Sequence, residues 1–156
     1  DYLITLDADL SHDPKDIPRF IEAIKSANYV VGTRSRGGRT ELSGFRLILS
    51  KGANLVCRII LPTGLSEYTT AYRCYDRKAM ESLISRSPKD EGYSYFIEAT
   101  ELLYRSGLRL SEIPIVFRER MEGESKIPSL QVFRSVMKIM KLIFSRIRWR
   151  LLGDKG

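Results

Sequence analysis

The sequence predicts an α/β layered domain, on three observations. Short apolar, β-branched runs alternate with stretches whose apolar residues recur at helical spacing, the pattern of a sheet covered by helices. Turn and capping residues separate them, at Asp13-Pro14, Pro62 and Gly107. The 156 residues make about one domain, long enough to bury a core.

Tyr2–Leu6 reads as the first strand, followed by a polar loop from Asp7 to Asp13. A helix then starts, with Asp13 as N-cap, Pro14 in the first turn and Asp16 near the positive end of the dipole. Ile17, Phe20, Ile21 and Ile24 form its apolar face. Tyr29–Gly32 is a second strand, and Arg34 to Gly44 a loop too polar and glycine-rich for a core. A helix is expected over Phe45–Leu61, stopped near Pro62, then a strand over Ala71–Tyr75 and a helix around Lys78–Ile84. Ser94–Tyr104 has helical spacing and ends at Gly107. Leu108–Arg118 alternates like a strand, interrupted by Pro114 and therefore suited to an edge. Ser129 to Leu152 reads as one amphipathic helix, with Val132, Val136, Ile139, Ile143 and Ile147 along one stripe and Arg134, Lys138, Lys141 and Arg148 opposite. Two units follow: residues 1–127, and an amphipathic segment 128–156.

Hydrophobic content of 43% and charged content of 29% exclude disordered and collagen-like classes. A net charge of +7, with a pI near 9.5, suits anionic partners: phosphates, nucleic acid or an acidic bilayer. Aromatics are not interleaved with Lys and Arg as stacking platforms, which argues against nucleic acid. Cys57 and Cys74 lack metal-ligand spacing, so a structural zinc site is not expected and a reducing compartment is the default. The chain opens inside a strand without Met, as a fragment does, and holds no run of about 18 apolar residues that would span a bilayer.

Three constellations carry chemistry. Asp7-Ala8-Asp9 ends an apolar strand, where two carboxylates can converge on one hard divalent cation that keeps waters and takes phosphates as further ligands. A solvated acidic loop is the competing reading, and a lone loop histidine such as His12 is more often solvated than catalytic. Arg34 follows a strand, and Arg46 and Ser50 stand four apart on a helix, an arrangement suited to gripping a phosphate or simply a basic surface. Arg118 to Lys126 is a glycine-containing loop in which Arg120, Ser125 and Lys126 offer donors and charge to a diphosphate, or a mixed-charge loop without a role.

The order of the pieces is more specific than any one of them. DADLSHDP (Asp7–Pro14), VVGTR (Val30–Arg34), SKGAN (Ser50–Asn54), YTTAYRCY (Tyr68–Tyr75), EIPIVFRER (Glu112–Arg120) and GESK (Gly123–Lys126) run collinearly. In that order the chain resembles the dolichol-phosphate mannosyltransferase branch of family 2 glycosyltransferases, over about residues 1–127.

The resemblance implies the C-terminal portion of a GT-A (Rossmann-like) fold, a mixed sheet with flanking helices. It implies Mg²⁺ or Mn²⁺ on Asp7 and Asp9, with Asp9, Glu67 and Glu98 in the catalytic centre. It assigns Arg120, Ser125 and Lys126 to the donor diphosphate, and Arg34, Arg46 and Ser50 to the acceptor phosphate. The implied reaction is inverting transfer of a hexose, best mannose from GDP-mannose, to a dolichyl or polyprenyl phosphate. The implied location is the cytoplasmic face of a membrane, held peripherally. UDP-glucose is the alternative donor.

Ser11 stands where some relatives carry a Gln metal ligand, and Glu67 where the family has Asp. The resemblance also implies a nucleotide-binding half before Asp1, so the isolated chain is expected to be inactive. Two other classes compete. An aspartate-nucleophile phosphatase would use Asp7 and Asp9 but needs a later acidic pair that is not evident. A non-catalytic basic membrane-binding module would rest on charge and on the terminal helix, whose stripe, with Trp149, suits either a bilayer interface or the domain core.

Overall fold

The computed structural model describes residues 1–86, 88 and 93–118. Arg120, Ser125, Lys126 and the expected helix over 129–152 lie outside them.

Among the described residues, six strands and four α-helices follow in sequence: β1 (Tyr2–Thr5), α1 (Ile17–Ile24), β2 (Tyr29–Thr33), β3 (Arg39–Thr40), α2 (Gly44–Ile60), β4 (Arg73–Asp76), α3 (Arg77–Arg86), α4 (Tyr93–Arg105), β5 (Leu110–Pro114) and β6 (Val116–Phe117). The main sheet has the order β1-β4-β2-β5. β4 runs antiparallel to both β1 and β2, while β2 and β5 are parallel, so the sheet is mixed, as expected.

The period of two along β2 and β4 builds two cores. Val30, Tyr72 and Cys74 meet Phe20 and Ile24 of α1 on one face. Tyr29, Val31 and Tyr75 meet Ala79, Leu83, Ile97 and Leu103 on the other, under α3 and α4, with Cys57 and Leu61 from the end of α2. Each large side chain so buried stabilises by about 1.5–3 kcal/mol. The two cysteines thus belong to different clusters; both thiols are free, and burial pushes Cys57 up to about 12 and Cys74 to about 11.

Arg73 of β4 is fully buried in this framework. Its guanidinium donates to the carbonyls of Thr70, Tyr68 and Phe96, to Thr100 Oγ1 and to Tyr29 Oη, and stacks 4.5 Å from the Phe96 ring. Burial lowers its pKa to about 10. Five acceptors in place of a counterion hold the β4–α4 connection.

Two expectations change. The helix expected from Pro14 is a 3-10 turn over Pro14–Asp16 before α1, because Pro18, near the start of α1, cannot donate to the preceding turn. Asp13 does cap it, accepting from Lys15 N–H at 3.0 Å. The single strand expected over Leu108–Arg118 is two. β5 ends at Pro114 on the sheet edge, and the chain then crosses to pair β6 with β3 in a second, two-stranded sheet. Ile115 N–H donates to Thr33 O (3.0 Å) and Arg39 N–H to Ile115 O (2.9 Å), which fixes the crossover. Gly38 lets these segments touch: a Cβ there would fall on Thr33 O and lie 2.9 Å from Ile115 O.

Candidate functional site

The Asp7–Asp9 loop leaves β1 and folds back on itself. Asp9 Oδ1 accepts from Ser11 N–H (3.1 Å) and from Ser11 Oγ–H (2.5 Å). Leu10 between them is left-handed at φ 63, a conformation that costs a branched side chain about 1 kcal/mol or more. Ser11 is fully buried, so it serves the loop by orienting Asp9.

His12, expected in solvent, is 2% exposed. Its Nδ1 accepts from Asp7 N–H at 3.1 Å, and Nε2 lies 3.2 Å from Thr70 Oγ1. An accepting Nδ1 places the proton on Nε2, so the ring is neutral, and Asp7 Oδ2 at 3.9 Å is no ion-pair partner. Burial lowers its pKa below 6.5, against the raising effect of Asp7 and Asp9.

His12 also begins a stack that crosses the domain. Its ring lies 5.0 Å from Tyr72 and 5.2 Å, edge-on, from Phe117 of β6. The Arg34 guanidinium stands 5.3 Å from the same Phe117 ring. Arg34 in turn donates from Nε (2.8 Å) and Nη2 (2.9 Å) to Glu67, a fork between a side chain 9% exposed and one 1% exposed. Asn54 of α2 donates to Glu67 Oε1 at 2.8 Å and accepts from Tyr68 N–H. Burial pushes the Glu67 carboxyl up, but Arg34, Thr69 N–H and Asn54 outweigh it and hold it below the usual 4.5. Arg118 closes the other end, donating its N–H to Ser11 O (3.0 Å) and pairing with Asp13 (3.2 Å). The acidic loop and α2 are thereby joined through five side chains: His12, Phe117, Arg34, Glu67 and Asn54.

Beside α2 lies a cavity of about 300 Å³. Arg34, Ser50 and Glu67 line it together. Arg46 is exposed on α2 outside that lining, and Glu98 is partly buried on α4, also outside it. Lys51 and Arg58 of α2 line it as well, two cations that motif reading missed. Their signal was α2's composition: three basic residues and no acidic one. The cavity can take an anion backed by an apolar wall, since Leu47 and Leu55 share the lining.

Among the described residues no group of three or more His, Cys, Asp or Glu side chains is arranged to hold a metal ion. Asp7 and Asp9, both partly exposed, offer two hard oxygen donors, a set that suits an ion completing its shell with water and substrate phosphate.

The fold and the site define an α/β domain that sets an acidic pair and a basic cavity on one rigid frame. A family model described as "Glycosyl transferase family 2" matches residues 1–84, and the chain belongs to that family. It is 32% identical over 143 residues to the undecaprenyl-phosphate mannosyltransferase of Micrococcus luteus, covering 90% of this chain and 59% of that protein. It is 32% identical over 157 residues to the polyprenol monophosphomannose synthase of Mycolicibacterium smegmatis, covering 99% of this chain and 58% of that one. The chain therefore spans less than two thirds of either relative's length.

Proposed function

We propose that the chain carries the metal-binding and acceptor-binding part of an inverting glycosyltransferase. It passes a hexose, mannose from GDP-mannose, to a polyprenyl phosphate at the cytoplasmic face of a membrane. The observation that carries this reading is the side-chain bridge from the Asp7–Asp9 loop through His12, Phe117 and Arg34 to the basic cavity. Both relatives, by their names, handle mannose and a polyprenyl carrier, which supports the same substrates here.

The chemistry asks for positioning more than for proton transfer. The nucleophile is an oxygen of the lipid phosphate, whose second pKa of roughly 6 leaves it largely dianionic at neutral pH. No general base is needed. Two anions must be brought together and the departing nucleoside diphosphate stabilised. Mg²⁺ or Mn²⁺ held by Asp7 and Asp9 would supply Lewis-acid stabilisation of that diphosphate. Arg120, Ser125 and Lys126 carry the donor-side charge assigned to them by sequence. Ser50, Lys51 and Arg58, with Arg34 behind them, receive the acceptor phosphate, and Arg46 guides it from outside the cavity. Glu67 holds Arg34 in its stack, and Glu98 is assigned to the sugar.

The test is transfer of labelled mannose from GDP-mannose to polyprenyl phosphate by the product of the complete gene. A lipid-extractable product that disappears with chelator supports the reading. Hydrolysis of a phosphate monoester without sugar transfer would replace it with the phosphatase reading.

A further inference from the structure

We infer that Glu112 of β5 is a positioning residue for the cavity. From behind the wall it fixes two loops, one carrying Arg34 and Ser35, the other Ser66 and Glu67. The inference rests on the cavity being the acceptor site, and it adds a residue that does not itself touch the lipid phosphate.

A carboxylate is unexpected at this place on β5. Period two puts Glu112 on the face shared with Leu110, which packs on the core of Tyr29 and Val31, and the register sets it opposite Val31. Its side chain is 11% exposed. A carboxylate so placed is costly unless its oxygens are used, and here both are. Oε2 accepts from Ser66 N–H at 2.7 Å, and Ser66 Oγ lies 2.9 and 3.0 Å from the two oxygens. Arg36 Nη1 donates to Oε1 at 3.1 Å.

The hydroxyl directions follow from the carboxylate. It offers lone pairs only, so Ser66 donates to it, and Ser66 Oγ then accepts from Thr33 Oγ1 at 2.8 Å. Thr33 Oγ1 in turn accepts from Ser35 N–H at 3.0 Å. One chain of donors thus runs from Ser35 through Thr33 and Ser66 to Glu112, and bonds aligned in this way strengthen one another. Thr33 and Ser66 are each 1% exposed. Arg36 ties the same loops a second time, donating to Gly64 O at 2.9 Å, from a left-handed φ of 43 that persists only where the surroundings hold it. Arg34, Ser35, Ser66 and Glu67 all line the cavity, while Glu112 and Thr33 stand behind it. One carboxylate therefore sets the spacing between two stretches of wall.

The test is equilibrium binding of farnesyl phosphate, by calorimetry, to the product of the complete gene. Glu112→Gln keeps the size of the side chain and removes one negative charge near a basic cavity. Charge alone predicts tighter binding of the phosphate. Positioning predicts binding about tenfold weaker, since the donor chain loses its terminal carboxylate. Thr33→Val interrupts the chain at its middle and should weaken binding in the same direction. The double variant should bind no more weakly than the weaker single one, because both act through one chain. GDP-mannose affinity, measured with Mn²⁺ below each melting transition, should stay at the wild-type value. Unchanged or tighter farnesyl phosphate binding by Glu112→Gln overturns the proposal, as do additive losses in the double variant or a parallel loss of GDP-mannose affinity. Mannose transfer by the wild type, with unaltered phosphate affinity in Glu112→Gln, would sink this proposal and leave the transfer reading. Weakened phosphate binding in the variants, without mannose transfer by the wild type, would do the reverse. No binding of farnesyl phosphate by the wild type overturns both.

Discussion

The backbone N–H of Asp7 donates to Nδ1 of His12 at 3.1 Å, so a buried, neutral imidazole fixes the start of the acidic loop. The ring is flanked by Tyr72, tilted against it, and by Phe117 in an edge-on contact, with Thr70 at Nε2. The orientation of the acidic pair is therefore set by packing deep in the domain.

Replacing His12 by Phe keeps an aromatic ring in the stack but leaves Asp7 N–H without its acceptor. A partly buried donor so orphaned costs about 1–3 kcal/mol. The expected result is a lowered melting temperature in a folded protein, together with roughly tenfold weaker Mn²⁺ binding from the loosened loop. Unaltered Mn²⁺ affinity in His12→Phe would show that the ring only fills space.

The Arg34–Glu67 fork predicts a pH dependence. The Glu67 carboxyl is held below 4.5 in the fold, so its stabilising contribution is complete above 4.5 and is lost as pH falls through the lowered folded value. Glu67→Gln leaves the Arg34 charge buried without its partner, which costs about 3–5 kcal/mol at neutral pH. Denaturant unfolding at a series of pH values should show that loss, and a flatter acid limb in the variant than in the wild type. Parallel acid limbs would remove Glu67 from the account.

The cavity lining separates two arginines of α2. Arg58 faces the cavity and Arg46 does not, so Arg58→Ala should weaken capture of a lipid phosphate more than Arg46→Ala. Loss of one charge-assisted contact predicts roughly a tenfold rise in KM for the acceptor with the donor KM unchanged. Equal effects of the two variants would mean that only net charge matters.

Much of the architecture was legible because it is periodic. Ile17, Phe20 and Ile24 marked α1's buried face, Tyr29–Gly32 the second strand, and Pro114 the edge position of β5. The two-residue strands β3 and β6 were not, because they exist only where the chain crosses at Ile115 against Gly38, a contact no local pattern encodes. The acidic pair was visible in Asp7-Ala8-Asp9, whereas the burial of His12 was not: it depends on Phe117, far along the chain. Arg34 was singled out for a phosphate, and its two-pronged grip on Glu67 is a tertiary fact. Lys51 and Arg58 were readable as charges but not as cavity walls, since that needs α2's rotation about its axis.

Mn²⁺ titration in the presence of GDP-mannose, followed by the electron paramagnetic signal of the free ion, tests the central claim most directly. The account predicts that the product of the complete gene takes up one ion together with the nucleotide-sugar, and that its Asp7→Asn/Asp9→Asn variant takes up neither at the same concentrations while keeping its melting transition. Uptake of ion and nucleotide unchanged in that double variant would contradict it.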